Sequence, residues 1–512
     1  MKNKHQLDAC RTFSDVLRYN SCCYPRKVWL HDGITGKDYS FVEFDHLVDR
    51  GVSFLLQKGC CPGDIISVAV NNRIEYLILF FASFRLGTIF SPLPFSLSSH
   101  DIAKNVAYLD PKMVFCQHKH YQDLKSKFSN LELIIDEKEG GDFLKALSNI
   151  NLLESADFSP RGHEPACIYY SSGTTGNPKG IVFSHKNMIA NISSIVRGFK
   201  WQADDCHLVF LPLGHTASIN YSVLPCMYAG ARIALYESFW KIRNIFWQCL
   251  EKTGATYVEV VPSVLFSLLN TAYKDYNRDH LKRLKYIGCG SAPLPLEVQE
   301  KIFDRFQLKA ANLYGLSETG PTHVDDPLVP DWKPGSLGRP LDVNEVKIFD
   351  ENGQPVKDGE TGEIAVKGEN VFVGYYNNED AYKKVFKNGY FLTGDLGYVN
   401  GRGLFYFADR KKDLIIKGGV NIFPGEIDEA IFAHPCVKEV ATVGVSDNYL
   451  GERIKSFIVL KQGVVLKEEE IRRFCLEKLG DFKCPNEFVF LDEIPKGPSG
   501  KLLRRLLKET RS

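Results

Sequence analysis

A chain of 512 residues is too long for one ordinary hydrophobic core, which predicts two or more domains. Apolar residues make up 44% and charged residues 24%, the composition of a soluble globular enzyme. The net charge of +1 gives no field to draw in nucleic acid or an anionic membrane, so neither is expected as a partner.

The N-terminus, MKNKHQLDACRTF, has no apolar signal core. Residues 65–70 (IISVAV) read as a strand. Residues 76–84 are the most apolar stretch, far short of the ~20 needed to span a bilayer, and read as a buried helix. The fourteen cysteines contain no C-x-x-C, and the pairs Cys22-Cys23 and Cys60-Cys61 lack His partners at zinc spacing. Cys167 and Cys289 lie inside apolar runs, where Cys acts as a small hydrophobe. A reducing cytoplasm is expected.

The segment SSGTTGNPKG (171–180) lies between two apolar runs and predicts a loop joining two strands. The next helix starts only at Ser184, with Ile189, Ile192, Val196 and Phe199 at helical spacing. Gly173 and Gly176 let backbone amides approach an anion, Ser171, Ser172, Thr174 and Thr175 offer hydroxyls, and Lys179 adds charge. Together these suit a polyphosphate. Pro178 at the second glycine position excludes a Walker loop.

Residues 232–236 and 257–261 (YVEVV) read as further strands, with helical stretches between that predict sheets covered by helices. Residues 288–293 (GCGSAP) depart from the dinucleotide fingerprint by placing Pro at the third glycine. Residues 315–319 (GLSET) lack the closing glycine of a hydrolase nucleophile elbow. Texture changes at 409–413 (DRKKD). Beyond it, runs at 414–416 and 420–423 flank Gly418-Gly419 as a hairpin, Pro424 opens a helix, and further strands and a helix near 468–479 follow. The expected division is a large domain over 1–408, a linker at 409–412 and a small α+β domain over 413–512.

Six segments in order resemble the motifs of the adenylate-forming superfamily: SSGTTGNPKG, GSAP (290–293), YGLSETG (314–320), TGD (393–395), DRKKDLIIKGGVNI (409–422) and PSGK (498–501). That superfamily includes acyl-CoA synthetases, 4-coumarate–CoA ligase-like aryl-CoA ligases, luciferases and the adenylation domains of peptide synthetases. The resemblance covers nearly the whole chain. It implies an α/β fold: a large N-terminal domain of helix-covered β-sheets plus a small barrel, and a small mobile α+β C-terminal domain. It implies ATP-dependent activation of a carboxylic acid as an acyl-adenylate, then transfer to a thiol. Coenzyme A is the expected co-substrate, with a separate acyl carrier protein as the alternative acceptor. A non-catalytic nucleotide-binding relative and a hydrolase built on Ser317 are the more distant readings.

The same resemblance assigns roles. Ser171, Ser172, Gly173, Thr174, Thr175, Gly176 and Lys179 would hold the β- and γ-phosphates, with Ser317 near the α-phosphate and Glu318 on Mg²⁺. Tyr314 would pack against adenine, whose polar edge would meet Gly290, Ser291, Ala292 and Asn312. Asp395, set at a tight turn by Gly394, and Arg410 would reach the ribose. Lys501 would be catalytic, offsetting the charge that develops at the α-phosphoryl group. His215 would border the acid pocket, Lys412 would be the hinge, and Gly418 and Gly419 would form the face beside the thiol.

Peptide-synthetase domains hold an α-amino group with an Asp shortly after the position of Pro212. Residues 211–222 (LPLGHTASINYS) contain no Asp or Glu, which disfavours an α-amino acid. The expected pocket walls are Ala217, Ser218, Ile219, Val260, Val261, Gly288 and Thr322, with Asn220 and Tyr221 as polar contacts. They predict a neutral aliphatic or aromatic acid. No carrier domain follows Lys501, so the acceptor is expected to be a separate molecule.

Overall fold

The structure is a computed structural model that describes residues 7, 9–136, 141–152, 160, 162–171, 179–273, 276–330, 332–447, 449–496 and 502–509. Ser172, Gly173, Thr174, Thr175, Gly176 and Lys501 lie outside the described residues.

Two large sheets dominate the first 330 residues. An eight-stranded sheet has the parallel strands Ile65–Ala69, Ile89–Pro92 and Met113–Gln117 near its centre. A seven-stranded sheet runs Ala310–Leu313, Tyr286–Gly290, Tyr257–Val260, Cys206–Val209, Arg232–Leu235, Val28–Asp32 and Asp38–Ser40, parallel up to its last pair. Strands covered on both faces read as continuous apolar runs, which is why 65–70 and 257–261 announce themselves. The apolar stretch near 76–84 lies within the helix Ile74–Leu86, buried nearly all round and closed by Gly87 in the left-handed conformation. One apolar core spans both large sheets, and a second lies on the far face of the seven-stranded sheet.

The two strands expected on either side of the SSGTTGNPKG segment are present. Pro165–Ser171 and Lys179–Ser184 pair antiparallel in the eight-stranded sheet. The helix His185–Gly198 then begins at Ser184, whose hydroxyl accepts from the Asn187 amide in a capping box.

A third, antiparallel sheet stands where the small barrel was expected. It contains Asn344–Phe349, Gly362–Gly368, Phe386–Lys387, Tyr390–Val399 and Phe405–Arg410. The last strand carries Asp409 and Arg410, so the segment read as a linker begins inside a sheet and continues as a short 3₁₀ turn, Lys411–Asp413. TGD also differs from expectation. Gly394 and Asp395 sit within the strand Tyr390–Val399, not at a turn, and Gly394 kinks it with φ 72°.

The smaller C-terminal domain has its own five-stranded sheet and its own apolar clusters. Ile415–Lys417 and Val420–Ile422 form the expected hairpin. Gly418 and Gly419 both have positive φ, at 58° and 79°, as a two-residue hairpin turn of this hand requires. Pro424 opens the helix Pro424–Phe432, and the later helix runs Glu468–Lys483 with a break at Gly480. All fourteen cysteines are free thiols. Among the described residues no helix is long and apolar enough to cross a membrane.

Candidate active site

A cavity of about 1880 Å³ opens where the large sheets, the third sheet and the C-terminal domain meet. Much of its wall comes from beyond the carboxyl ends of the parallel strands, where α/β sheets place ligands. Its lining includes Lys179, His215, Ser291, Ser317, Glu318, Asp395, Arg410 and Lys412. Residues spread over more than 230 positions of sequence therefore face one space.

One end is built around Asp395, which is 5% exposed. The Tyr314 hydroxyl donates to Asp395 Oδ2 at 3.0 Å, and Arg410 Nε lies 3.5 Å from Oδ1. Asp395 and Arg410 are cross-strand partners, so sheet register alone brings them together. Burial, and then the Asp395 charge, push the Tyr314 phenol well above its ordinary pKa, which keeps it a donor. The Gly394 kink is pinned by Glu363, whose Oε1 accepts from the Gly394 amide at 3.0 Å and whose Oε2 pairs with Lys411 at 2.9 Å. Nothing in the spacing of Glu363 marks it beforehand.

The other end holds Glu318 in the turn of the hairpin formed by Gly315–Leu316 and Gly320–Pro321. Its Oε1 accepts from the Tyr375 hydroxyl at 3.1 Å, and Lys179 Nζ lies 5.2 Å from the centre of the Tyr375 ring. Tyr375 is a second residue that sequence reasoning missed. Ser317 shares the hairpin turn and the cavity. Ser291 follows the strand Tyr286–Gly290 with φ 68°, an uncommon conformation for a residue with a side chain, of the kind that clusters at ligand sites.

Asn312 lies near the end of the strand Ala310–Leu313 and is engaged within the fold. Its backbone amide donates to Asp325, and its side-chain amide donates to the Ser336 carbonyl at 2.8 Å, so it braces a loop. Tyr314 is 8% exposed and packs in the apolar core beneath the third sheet, which leaves Asp395 as the group that meets the cavity beside it.

On the acid side, His215 precedes the short helix Thr216–Ser218, which runs into a π-helical turn, Ile219–Val223. Such turns recur at functional sites. Here the turn faces Asn220 and Tyr221 to the cavity. Ala217, Ser218 and Val261 also line it. Four expected walls pack elsewhere. Ile219 and Val260 sit in apolar cores, and Thr322 hydrogen-bonds His323 at 2.9 Å. Gly288 lies under the Tyr257 hydroxyl, which would overlap any Cβ placed there. The reason for Val260 is the two-residue period of a strand. Val258 and Val260 face the far core, and Glu259, which the sequence reading passed over, faces the cavity.

Lys412 is exposed at the rim, yet surrounding protein, and then the Arg410 charge, lower its pKa. Gly418 and Gly419 lie on the exposed hairpin of the smaller domain. That domain contributes Lys438, Glu439, Lys496 and Leu503 to the cavity wall.

Helix-covered parallel sheets joined to a small second domain around one cavity agree with the architecture of an adenylate-forming enzyme. Residues 18–376 match the family described as AMP-binding enzyme, and 426–501 match the AMP-binding enzyme C-terminal domain, so the chain belongs to that family. It is 32% identical over 451 residues to sulfoacetate–CoA ligase of Cupriavidus necator, covering 87% of each chain. It is 33% identical over 477 residues to 2-succinylbenzoate–CoA ligase of Bacillus cereus, covering 92% of this chain and 93% of that one. The crystal structure of ATP-bound MatB from Rhodopseudomonas palustris superposes with a TM-score of 0.88 at 26% identity, covering 96% of this chain and 98% of that one. The relatives are acid–thiol ligases, and the fold and class agree with the reading of the motifs.

Proposed function

We propose that this chain joins a carboxylic acid to coenzyme A in two steps at one cavity. The observation that carries the reading is the pairing of Asp395 with Tyr314 and Arg410 at one end and Glu318 with Tyr375 near Lys179 at the other. In the first step a carboxylate oxygen attacks the α-phosphorus of ATP, and the bond to the bridging oxygen breaks to release pyrophosphate. In the second, the thiol sulfur attacks the acyl carbon, AMP leaves and the thiol proton passes to solvent.

Asp395 would accept from both ribose hydroxyls, since two carboxylate oxygens fit a cis-diol, and Arg410 would hold its orientation. The backbone of residues 290–292 would meet adenine. The loop 171–176 and Lys179 would hold the phosphates that leave. Glu318 fits a hard cation that keeps phosphate and water as its other ligands, so it is the residue that would hold Mg²⁺. The cation, when bound, supplies neutralisation of the triphosphate. Lys501 would stabilise charge at the α-phosphoryl group, and rotation about Lys412 would bring the Gly418-Gly419 hairpin to the thiol. Coenzyme A is preferred over a carrier protein because the relatives are CoA ligases. A reducing cytosolic setting suits fourteen free thiols.

The test is acid-dependent exchange of labelled pyrophosphate into ATP over a panel of acids, followed by mass detection of the CoA thioester. Lys501→Ala should abolish the exchange yet leave thioester formation from supplied acyl-adenylate largely intact. Equal loss of both in a folded variant would refute the division of labour.

A further inference from the structure

The floor of the cavity holds a carboxyl group that the two-step reaction does not use. Glu259 lies at the carboxyl end of Tyr257–Val260, the third strand of the seven-stranded sheet, in register with Gly288 on the next strand. It is 3% exposed and lines the cavity close to the π-helical turn that carries Tyr221. Among the described residues, no hydrogen-bond donor reaches its buried Oε2. The titratable groups that feel its charge are the Tyr221 and Tyr257 phenols and the Cys289 thiol. The Tyr221 hydroxyl donates to the Tyr314 carbonyl at 3.2 Å, so its proton is engaged away from Glu259.

Buried carboxyl groups are almost always hydrogen-bonded, because losing water without gaining a partner is costly. Among the described residues, Glu259 has neither an internal donor at Oε2 nor a paired cation. The cavity it faces is the one the acid must enter. Oε2 itself is shielded, and the edge of the carboxyl group that lines the cavity is where a ligand donor can serve as its partner.

We infer that Glu259 is a specificity residue: the acid this enzyme activates carries a neutral hydrogen-bond donor, a hydroxyl or an N–H, on the part of its skeleton that reaches the cavity floor. This rests on the proposed ligase reaction and narrows it. A purely hydrocarbon acid would leave Glu259 unpaired. A second anionic group there would meet a carboxyl group with no cation to offset it. Burial raises the Glu259 pKa to about 8, so at neutral pH it is largely protonated and can donate as well as accept. That favours a neutral hydroxyl, which does both.

The experiment compares matched acids in pyrophosphate exchange with the full-length enzyme: 3-phenylpropanoate against 3-(4-hydroxyphenyl)propanoate, benzoate against 4-hydroxybenzoate, and octanoate against 8-hydroxyoctanoate. In at least one pair the hydroxylated acid should win in kcat/KM by about ten- to a hundredfold, the discrimination of a buried group that loses its partner. Glu259→Leu should erase or reverse that preference, and Glu259→Gln, which keeps an acceptor and a donor, should retain most of it. Preference for the unhydroxylated acid in every pair overturns the inference even with no variant made. An unchanged ratio in a folded Glu259→Leu protein also overturns it. Exchange with none of the acids overturns the ligase reading and this inference with it, whereas exchange with the hydrocarbon acids alone overturns only the inference.

Discussion

The proposed reaction gives Asp395 two jobs with one carboxylate. It accepts from Tyr314 and faces Arg410, and the two oxygens of a carboxylate are the acceptors a cis-diol requires. Asp395→Asn keeps the shape and one acceptor oxygen but removes the charge and the second acceptor. It should lower kcat/KM for ATP about ten- to a hundredfold, the worth of a charge-assisted hydrogen bond. It should also narrow the discrimination between ATP and 2′-deoxy-ATP, measured by pyrophosphate exchange with each. Loss of activity with unchanged discrimination would place Asp395 outside the ribose site. At this scale the sequence singled out residues that sit in short motifs, as Asp395, Glu318 and Arg410 do, and all three line the cavity. It was not legible for Glu363, Tyr375 and Glu259. Those three join the site through strand register and tertiary packing, which leave no local spacing to read. Asn312 shows the converse: it lies close to a motif, yet Ser336 claims its amide.

The elements were the easiest features to foresee. The strand pair around 171–179, the Ser184 cap and the Gly418-Gly419 hairpin all follow from local chemistry, since capping hydroxyls and positive-φ glycines act over a few residues. The π-helical turn at Ile219–Val223 and the Gly394 kink inside a strand were not foreseeable, because each breaks the period on which such reading depends. The final helix, Arg504–Glu509, follows directly on the segment containing Lys501 and is too short to stand alone. Leu507 anchors it in the smaller domain's core, and Arg504 donates to the Asp428 carboxylate and to the Thr442 carbonyl. Burial raises the Asp428 pKa to about 6 even beside that guanidinium. Arg504→Ala should cost ~2–3 kcal/mol in denaturant unfolding, less than the ~3–5 of a fully buried pair because both side chains retain some exposure. Because Lys501, the proposed catalytic residue, precedes this helix by only three positions in sequence, pyrophosphate exchange should fall more steeply than stability does.

The molecule as a whole places one cavity between two bodies with separate cores. The strand Phe405–Arg410 carries the chain across, and Asp409 at its end accepts from the Gly425 amide at the start of the helix Pro424–Phe432. That same helix touches the larger domain through Phe432, whose ring lies 5.4 Å from Phe266 with Lys301 over it. One turn earlier, Glu429 faces Glu297 and Glu300 across the seam. Burial, and then these like charges, raise its pKa. The seam therefore combines an aromatic contact with like-charge repulsion on Glu429, partly offset because Glu297 pairs with Lys301 and Glu426 with Lys483. Docking in this orientation favours the protonated form of Glu429, so the orientation should gain population as pH falls through that raised pKa. It should lose population as pH rises above it. Added salt screens the repulsion and should act in the same direction as acid. Energy transfer between dyes on the two domains, read against pH and ionic strength, would register both shifts, and Glu429→Gln should flatten them. The seam is thus a closure under internal load: docking carries a cost at Glu429 that acid or salt relieves.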